Sequence, residues 1–134
     1  MKLLKLILLG LTTACASTVK VPKNPIIDGH LTAYNAHDIV AFKKYFHKDV
    51  EIYKFPNTLV DKGKDNLDQY YTPLFDKKLN QAKIHSRMEF GKFVIDHEEA
   101  TIKDKTAELL VIYETKDGLI YRMMFVGTVI KDNK

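Results

Sequence analysis

Two short turn signals constrain this chain more than any other feature. Gly91-Lys92 suits a two-residue type II′ turn and Asp117-Gly118 a type I′ turn, and both turn types match the natural twist of paired strands. The residues around them run in four apolar or alternating segments of strand length: Lys83 to Phe90, Phe93 to Ile102, Thr106 to Lys116, and Leu119 to about Ile130. The second half of the chain is therefore predicted to form antiparallel hairpins.

Helices are predicted before this sheet. Asn24-Pro25 is typical of a helix start, and Asp38 has the residue type that caps a second helix. A third helix from about Lys64 has the clearest amphipathic spacing, at Leu67, Tyr70, Tyr71, Leu74 and Phe75. A strand is predicted from Asp49 to Phe55. Helices first and sheet second predict an α+β domain, with three helices covering one face of a strongly curved, mostly antiparallel sheet.

Residues 1–15 have the pattern of an export signal. Lys2 and Lys5 precede an apolar run at Leu6–Leu9, which is much shorter than the roughly 20 residues of a membrane span. Small residues before Cys15 resemble a bacterial lipoprotein signal, in which that cysteine is lipidated; cleavage after Ala16 is the alternative. We expect an exported protein, periplasmic or membrane-anchored through lipid at Cys15, with residues 16–24 as a tether and the domain at 25–134.

Charge and motifs exclude several functions. The 21 basic against 17 acidic residues give +4, and removing Lys2 and Lys5 leaves 19 against 17, or +2. The lysines are scattered rather than grouped into a stripe, which argues against nucleic-acid binding. The sequence shows no metal-ligand spacing, glycine-rich phosphate loop or nucleophile elbow, so neither a metal nor a cofactor is predicted.

Several segments resemble one known group of proteins. They are Tyr34 to Ile39, Phe42, Tyr45-Phe46, Asp49 to Tyr53, Phe93 to Glu98, Ile112 to Glu114, and Asp117 to Ile120 with Arg122. Together they resemble the SnoaL-like and steroid-isomerase-like branch of the nuclear transport factor 2-like superfamily, from about residue 26 to about residue 128. The resemblance implies a cone-shaped domain around an apolar pocket. It does not imply a reaction, because the superfamily includes isomerases, cyclases and non-catalytic binders.

The resemblance also implies where an isomerase would carry its acid–base groups. A gap-free alignment on Asn35-Ala36 and Asp38 puts His30, Lys54 and Leu110 at the positions of the family's tyrosine, base aspartate and protonated aspartate. All three positions are changed, and a charged lysine cannot act as the base. Steroid-isomerase chemistry of that kind is therefore disfavoured.

Asp96-His97-Glu98 places three ionisable residues inside an apolar strand. With a two-residue turn at 91–92, Arg87 faces Asp96 and His85 faces Glu98, while His97 shares its face with mostly apolar residues. We expect the apolar face to meet the helices, which puts Asp96 and Glu98 outside and His97 inside. His97 is then either a proton carrier or a core residue hydrogen-bonded to Ser86.

The second hairpin predicts the pocket wall. A two-residue turn at 117–118 pairs Glu114 with Tyr121, Ile112 with Met123 and Leu110 with Phe125. The candidate ligand-binding residues are Ile95, Leu110, Ile112, Tyr121, Met123 and Phe125. Plain core packing is the alternative for Met123 and Phe125.

Three functional hypotheses follow. The first is an exported domain that binds a small apolar or amphipathic molecule. The second is a cofactor-independent isomerase-like or cyclase-like enzyme in which His97 moves a proton, helped by Lys54, Tyr53 or Glu114. The third is a structural domain with a filled cone that dimerises through the outer sheet face. A homodimer through that face is also expected for the first two.

Overall fold

The computed structural model describes residues 20–131. Three helices and six strands follow one another as α1 (Pro25–Asn35), α2 (Ile39–Lys43), β1 (Phe46–Lys54), β2 (Thr58–Lys62), α3 (Leu67–Asp76), β3 (Asn80–Phe90), β4 (Phe93–Ile102), β5 (Lys105–Lys116) and β6 (Leu119–Lys131). The export signal, Cys15 and residues 16–19 of the tether lie outside the described residues.

The strands form one mixed sheet in the order β2-β1-β6-β5-β4-β3. β1 runs parallel to β6, and the other neighbours are antiparallel. The sheet is curved and the helices precede most of it, so the α+β cone expected from the sequence is confirmed.

Helix starts follow their capping residues. The side chain of Asn24 accepts hydrogen bonds from the backbone of Ile26 and Ile27 at 3.2 and 3.1 Å, and Asp38 accepts one from Ala41 at 2.9 Å. Both caps are as the sequence predicts. The third helix begins later than predicted, because residues 64–66 form a single 3-10 turn ahead of α3.

The first strand begins earlier than predicted, at Phe46, and is followed by β2, which is not predicted from the sequence. β2 pairs with β1 along one edge, and most of its residues are exposed. A short, exposed edge strand leaves little apolar pattern in the sequence, which explains why it was missed.

Both two-residue turns are confirmed. Phe90 pairs with Phe93 around Gly91, whose φ is 58°, and Lys116 pairs with Leu119 around Asp117 and Gly118, whose φ values are 53° and 73°. Positive φ at the first turn residue, or at both, is what these primed turns require.

Bulges change the register beyond the turns. An extra residue, His85, lies between the pairs Ile84–Glu98 and Ser86–His97. In the second hairpin the extra residue is Tyr121, so Glu114 pairs with Arg122. The predicted pairs His85–Glu98, Glu114–Tyr121, Ile112–Met123 and Leu110–Phe125 are therefore wrong. The pairs closer to the first turn, including Arg87–Asp96, are confirmed.

A buried ion-pair network joins helix α1 to the sheet. The guanidinium of Arg87 donates to both carboxylate oxygens of Asp96, at 2.7 and 2.8 Å, and to Asp28 of α1 at 2.7 Å. Asp96 is fully buried and Arg87 nearly so. A buried charge is stable only when it is paired. This network therefore holds the polar face of β3 and β4 against the helices.

Candidate functional site

A cavity of about 710 Å³ opens between the helices and the concave face of the sheet. Its walls are mainly apolar, with contributions from Ile52, Leu74, Ala100, Leu109, Met123 and Phe125. Its rim is polar, with Asp61 of β2 and residues 103–105 at the β4–β5 turn. The volume is in the range of pockets that hold small organic molecules.

Glu98 is the carboxylate that β4 presents to this cavity. Strand alternation points Val94, Asp96 and Glu98 toward the helices, and Glu98 is only 5% exposed. Burial raises the pKa of Glu98 from 4.5 to about 7, and the nearby charge of Asp96 adds to the rise. Near neutral pH this carboxyl group is therefore divided between its protonated and ionised forms.

Tyr113 supports Glu98 from the neighbouring strand β5. Its hydroxyl donates a 2.7 Å hydrogen bond to Oε1 of Glu98, and the ring is almost completely buried. Burial, together with the charge of Glu98, raises the pKa of Tyr113 well above its usual value, so the hydroxyl stays protonated and remains a donor. The hydrogen bond from Tyr113 therefore fixes the position of the Glu98 carboxyl group in the cavity wall.

His30 of α1 adds a neutral imidazole to the same wall. Burial lowers the pKa of His30 to about 4, so the ring is uncharged at neutral pH. It packs against Phe42 and Tyr113, with ring centroids 5.0 and 5.7 Å away. Among residues 20–131, its Nδ1 has no hydrogen-bond partner. This is the position at which the resemblance places a tyrosine in steroid isomerases.

Two further tyrosines contribute hydroxyl groups to the cavity. Tyr34 and Tyr71 line it from α1 and α3, and their rings pack edge to face at 6.2 Å. Burial raises the pKa of Tyr34 to about 12 and raises that of Tyr71 as well. Both hydroxyls are therefore protonated donors at neutral pH.

His97 does not face the cavity, so the prediction that it points toward the helices is wrong. Its side chain is 38% exposed on the convex, outer face, with Nε2 3.3 Å from Glu108. The prediction failed because the apolar face of the β3–β4 hairpin was taken to be the inner one. Instead, Met88 and Phe90 are exposed near the turn, while the charged partners Arg87 and Asp96 are buried.

The other proposed catalytic residues also lie away from the cavity. Lys54 is exposed at the end of β1. On the outer face, Tyr53 donates to Glu51 at 3.0 Å, while Glu114 accepts from Lys92 at 2.6 Å and from Arg122 at 2.9 Å. None of the four candidates lines the cavity with Glu98, so the structure does not bring them together as one site.

The structure places two of the six predicted pocket-wall residues at the cavity. Met123 and Phe125 lie in the cavity wall. Ile95, Leu110 and Ile112 point to the outer face, because their neighbours Asp96, Val111 and Tyr113 point inward. Tyr121 occupies the bulge and packs against the ring of His47 at 5.4 Å. The prediction that these four line the pocket is wrong.

Comparison with known proteins agrees with the fold. The sequence pattern of the SnoaL-like domain family matches residues 27–123. An NTF2-like protein of unknown function from Cytophaga hutchinsonii superposes with a TM-score of 0.67 at 14% identity, over 84% of this chain and 92% of that chain. Comparison with curated proteins found no match.

Two further structural neighbours carry functional descriptions. A candidate ketosteroid isomerase from Kribbella flavida has a TM-score of 0.63 at 16% identity, over 81% of this chain and 77% of that chain. A candidate polyketide cyclase from Sinorhizobium meliloti has a TM-score of 0.65 at 16% identity, over 77% and 94%. At such identities the superpositions establish the NTF2-like fold and no reaction. No helix within residues 20–131 is long and apolar enough to cross a membrane.

Proposed function

Because the chain belongs to the SnoaL-like domain family, we propose that it binds a small, largely apolar molecule with a carbonyl group in its cavity and that Glu98 exchanges a proton with that molecule. This keeps the cofactor-independent chemistry expected from the sequence but assigns it to Glu98 in place of His97. Isomerisation and ring closure of a ketone are the reaction types that such a proton transfer serves.

The observation that carries this proposal is the single carboxylate that β4 contributes to a mainly apolar wall. A general base works best when its pKa lies near the operating pH, and burial brings the pKa of Glu98 to about 7. Proton-transfer groups of this kind concentrate in functional clefts. The alternative is a purely structural role for Glu98. That role does not explain why a carboxyl group whose burial costs free energy lies beside an open cavity.

The proposed step needs only groups that line the cavity. Ionised Glu98 takes a proton from the carbon next to the carbonyl, and the C–H electron pair moves into the carbonyl group to give an enolate oxygen. A neutral donor then stabilises that oxygen, and Tyr34, Tyr71 and the His30 ring all line the same cavity. Protonated Glu98 returns the proton to the same carbon or to a conjugated one, so the protein ends unchanged.

The structural neighbours support this reading by their described activities. The Kribbella flavida protein is described as a candidate ketosteroid isomerase and the Sinorhizobium meliloti protein as a candidate polyketide cyclase. Both descriptions name a ketone-containing class of substrate. This chain has His30, Lys54 and Leu110 at the positions where the resemblance places the acid–base residues of steroid isomerases. We therefore infer a related class of substrate and a different arrangement of acid–base groups.

The test is deuterium exchange into a panel of steroid and aromatic polyketide ketones, followed by NMR in D₂O. We expect the wild type to exchange the protons next to the carbonyl of at least one compound. Glu98→Gln should reduce that rate by about 10²-fold or more, because a general base typically contributes 10²–10⁴-fold. Glu99→Gln is the matched control, since Glu99 adjoins Glu98 in the chain but lies on the outer face.

The outcomes separate the roles. Exchange that survives in Glu98→Gln overturns the proton-transfer role of Glu98. Saturable binding of a ketone with no exchange in the wild type leaves a binding protein, the first hypothesis from the sequence, and removes the enzyme. The third hypothesis, an interaction domain with a filled cone, is disfavoured by the open cavity of about 710 Å³.

We also propose that the protein is exported and anchored through Cys15, on the evidence of residues 1–15 alone. Mass spectrometry of protein recovered from a bacterial envelope fraction tests this. A diacylglyceryl mass on Cys15 that Cys15→Ala abolishes is the expected result. An unmodified chain beginning after Ala16 would support export without an anchor.

A further inference from the structure

We propose that the outer face of the sheet carries a second site, beside His97, which binds a divalent transition-metal ion of the zinc type through His85, Glu99 and Glu108. This site is separate from the cavity, because it lies on the opposite face of strands β3, β4 and β5. Its success or failure is therefore independent of the proposed function.

The donor atoms already lie close together. One donor atom from each of His85, Glu99 and Glu108 falls within 4.8 Å of the other two. Nε2 of His97 is 3.3 Å from Oε2 of Glu108, and the two histidine rings are 5.1 Å apart. Imidazole nitrogens and carboxylate oxygens form a ligand set that suits zinc and its neighbours in the transition series.

The bulge in β3 creates this arrangement. In a regular strand, His85 and Ser86 would point to opposite faces. The extra residue between the Ile84–Glu98 and Ser86–His97 pairs allows His85 to join His97 on the outer face. Bulges often re-aim one side chain in this way, and they are over-represented next to functional sites.

The charges favour a cation at this place. Glu99 and Glu108 are direct cross-strand partners, an arrangement that is destabilising for two like charges. Lys131 of β6 forms ion pairs with both carboxylates. Two carboxylates against one lysine leave one net negative charge in the group.

His85 offers a nitrogen without a conventional partner. Its Nε2 is covered from solvent and, among residues 20–131, has no hydrogen bond; the nearest carboxylate oxygen is that of Glu99 at 3.6 Å. A metal ion bound between Nε2 of His85 and the carboxylate oxygen of Glu99 would give each of them a ligand bond. A shallow cleft of about 220 Å³ borders His97 and Glu108, which gives room for a water or another exchangeable ligand on the metal.

Lys131 makes the proposal distinguishable from a plain ion-pair network. A metal ion and the ammonium group of Lys131 compete for the same carboxylate oxygens. Removing the lysine should therefore strengthen metal binding. If the group were only an ion-pair network between Lys131, Glu99 and Glu108, the same change would only weaken it.

The experiment is isothermal titration of the full chain, free of any polyhistidine tag, with Zn²⁺ alone, together with the absorption spectrum of the Co²⁺ form. We expect one ion per chain and a Co²⁺ spectrum of nitrogen and oxygen ligation. His85→Ala and Glu99→Gln should each weaken binding at least tenfold, and Lys131→Met should tighten it several-fold. His47→Ala is the control, since His47 also lies near a carboxylate, 3.8 Å from Asp49, but outside this group.

Three results would overturn the proposal: no Zn²⁺ binding to the wild type at micromolar concentration, binding unchanged in both His85→Ala and Glu99→Gln, or binding lost in Lys131→Met. Circular dichroism of each variant checks that it is folded. If His85→Ala does not fold, His85→Gln and Glu108→Gln replace it in the comparison.

Discussion

Glu98 and Glu99 are neighbours in the chain, yet they belong to two chemically different surfaces. Glu98 lies on the cavity wall, where burial raises its pKa to about 7. The side chain of Glu99 is 29% exposed on the outer face, where Lys131 lowers its pKa. Strand alternation alone separates the two. The surroundings of a side chain, more than its type, therefore set its chemical role.

Two arginines show the same contrast. Arg87 and Arg122 each pair with two carboxylates, Asp28 and Asp96 in one case and Glu51 and Glu114 in the other. The side chain of Arg87 has no solvent exposure, whereas that of Arg122 is 36% exposed. The two arginines make similar hydrogen bonds, but we expect those of Arg87 to contribute much more to the free energy of unfolding.

Replacing each arginine by methionine gives the largest expected difference. Arg87→Met leaves Asp96 charged, buried and unpaired, and should lower the free energy of unfolding by about 3–5 kcal/mol. Arg122→Met should cost about 1 kcal/mol, because the Arg122 side chain is 36% exposed and its partners Glu51 and Glu114 keep their ion pairs with Lys62 and Lys92. Urea denaturation followed by circular dichroism measures both. Equal losses would show that the two faces do not differ in this way.

The pH dependence of stability is the next largest effect. The raised pKa of Glu98 stabilises the fold below pH 4.5, and this contribution is lost as the pH rises to about 7; it amounts to about 3 kcal/mol. The lowered pKa of His30 has the opposite sign: its contribution is complete above pH 6.5 and is lost as the pH falls to about 4. In the wild type the two slopes largely cancel.

Single variants should separate these slopes. Glu98→Gln is expected to become more stable from pH 4.5 to 6.5, following His30, while His30→Phe should become less stable from pH 4.5 to 7, following Glu98. Urea midpoints measured at half-unit pH steps test both directions. Parallel curves for the two variants would contradict the assigned burial of these groups, and Glu99→Gln should reproduce the wild-type curve.

Removing a tyrosine hydroxyl on each face should give a smaller difference. Tyr113→Phe deletes the buried donor to Glu98 and should cost about 1–3 kcal/mol. It should also raise the pKa of Glu98 further, which a carbon-13 NMR titration of the carboxyl group can measure. Tyr53→Phe deletes the donor to Glu51 on the outer face, with an expected cost of about 0.5 kcal/mol. A fall in the Glu98 pKa would refute the proposed pairing.

The smallest effect on stability is expected at the tip of the β3–β4 hairpin. Phe90 is 83% exposed on the outer face, so Phe90→Asp should change the free energy of unfolding by no more than about 0.5 kcal/mol. If the homodimer expected through this face exists, the same variant should reduce the native mass from two chains to one. An unchanged dimeric mass would show that subunits associate elsewhere.

Much of the fold could be predicted from short stretches of sequence. The Asn24 and Asp38 caps, the two primed turns and the Arg87–Asp96 pair depend on residues that lie close together in the chain. The cavity site could not be predicted in the same way. His30, Glu98 and Tyr113 lie on three elements, and the strand pattern alone predicts Glu98 on the outer face. One signal was available: Asp28 on α1 could have been considered as a second partner for Arg87.

The amino-acid order determined the elements, the turns and the division of each strand into two faces, because turn chemistry and side-chain alternation are local. Only the tertiary structure decided which face is inside. The ion pair from Asp28 to Arg87 draws the charged face of the first hairpin against α1. The bulges at His85 and Tyr121 shift the pairing by one residue. Both effects depend on long-range packing, in which a one-residue shift exchanges inside for outside.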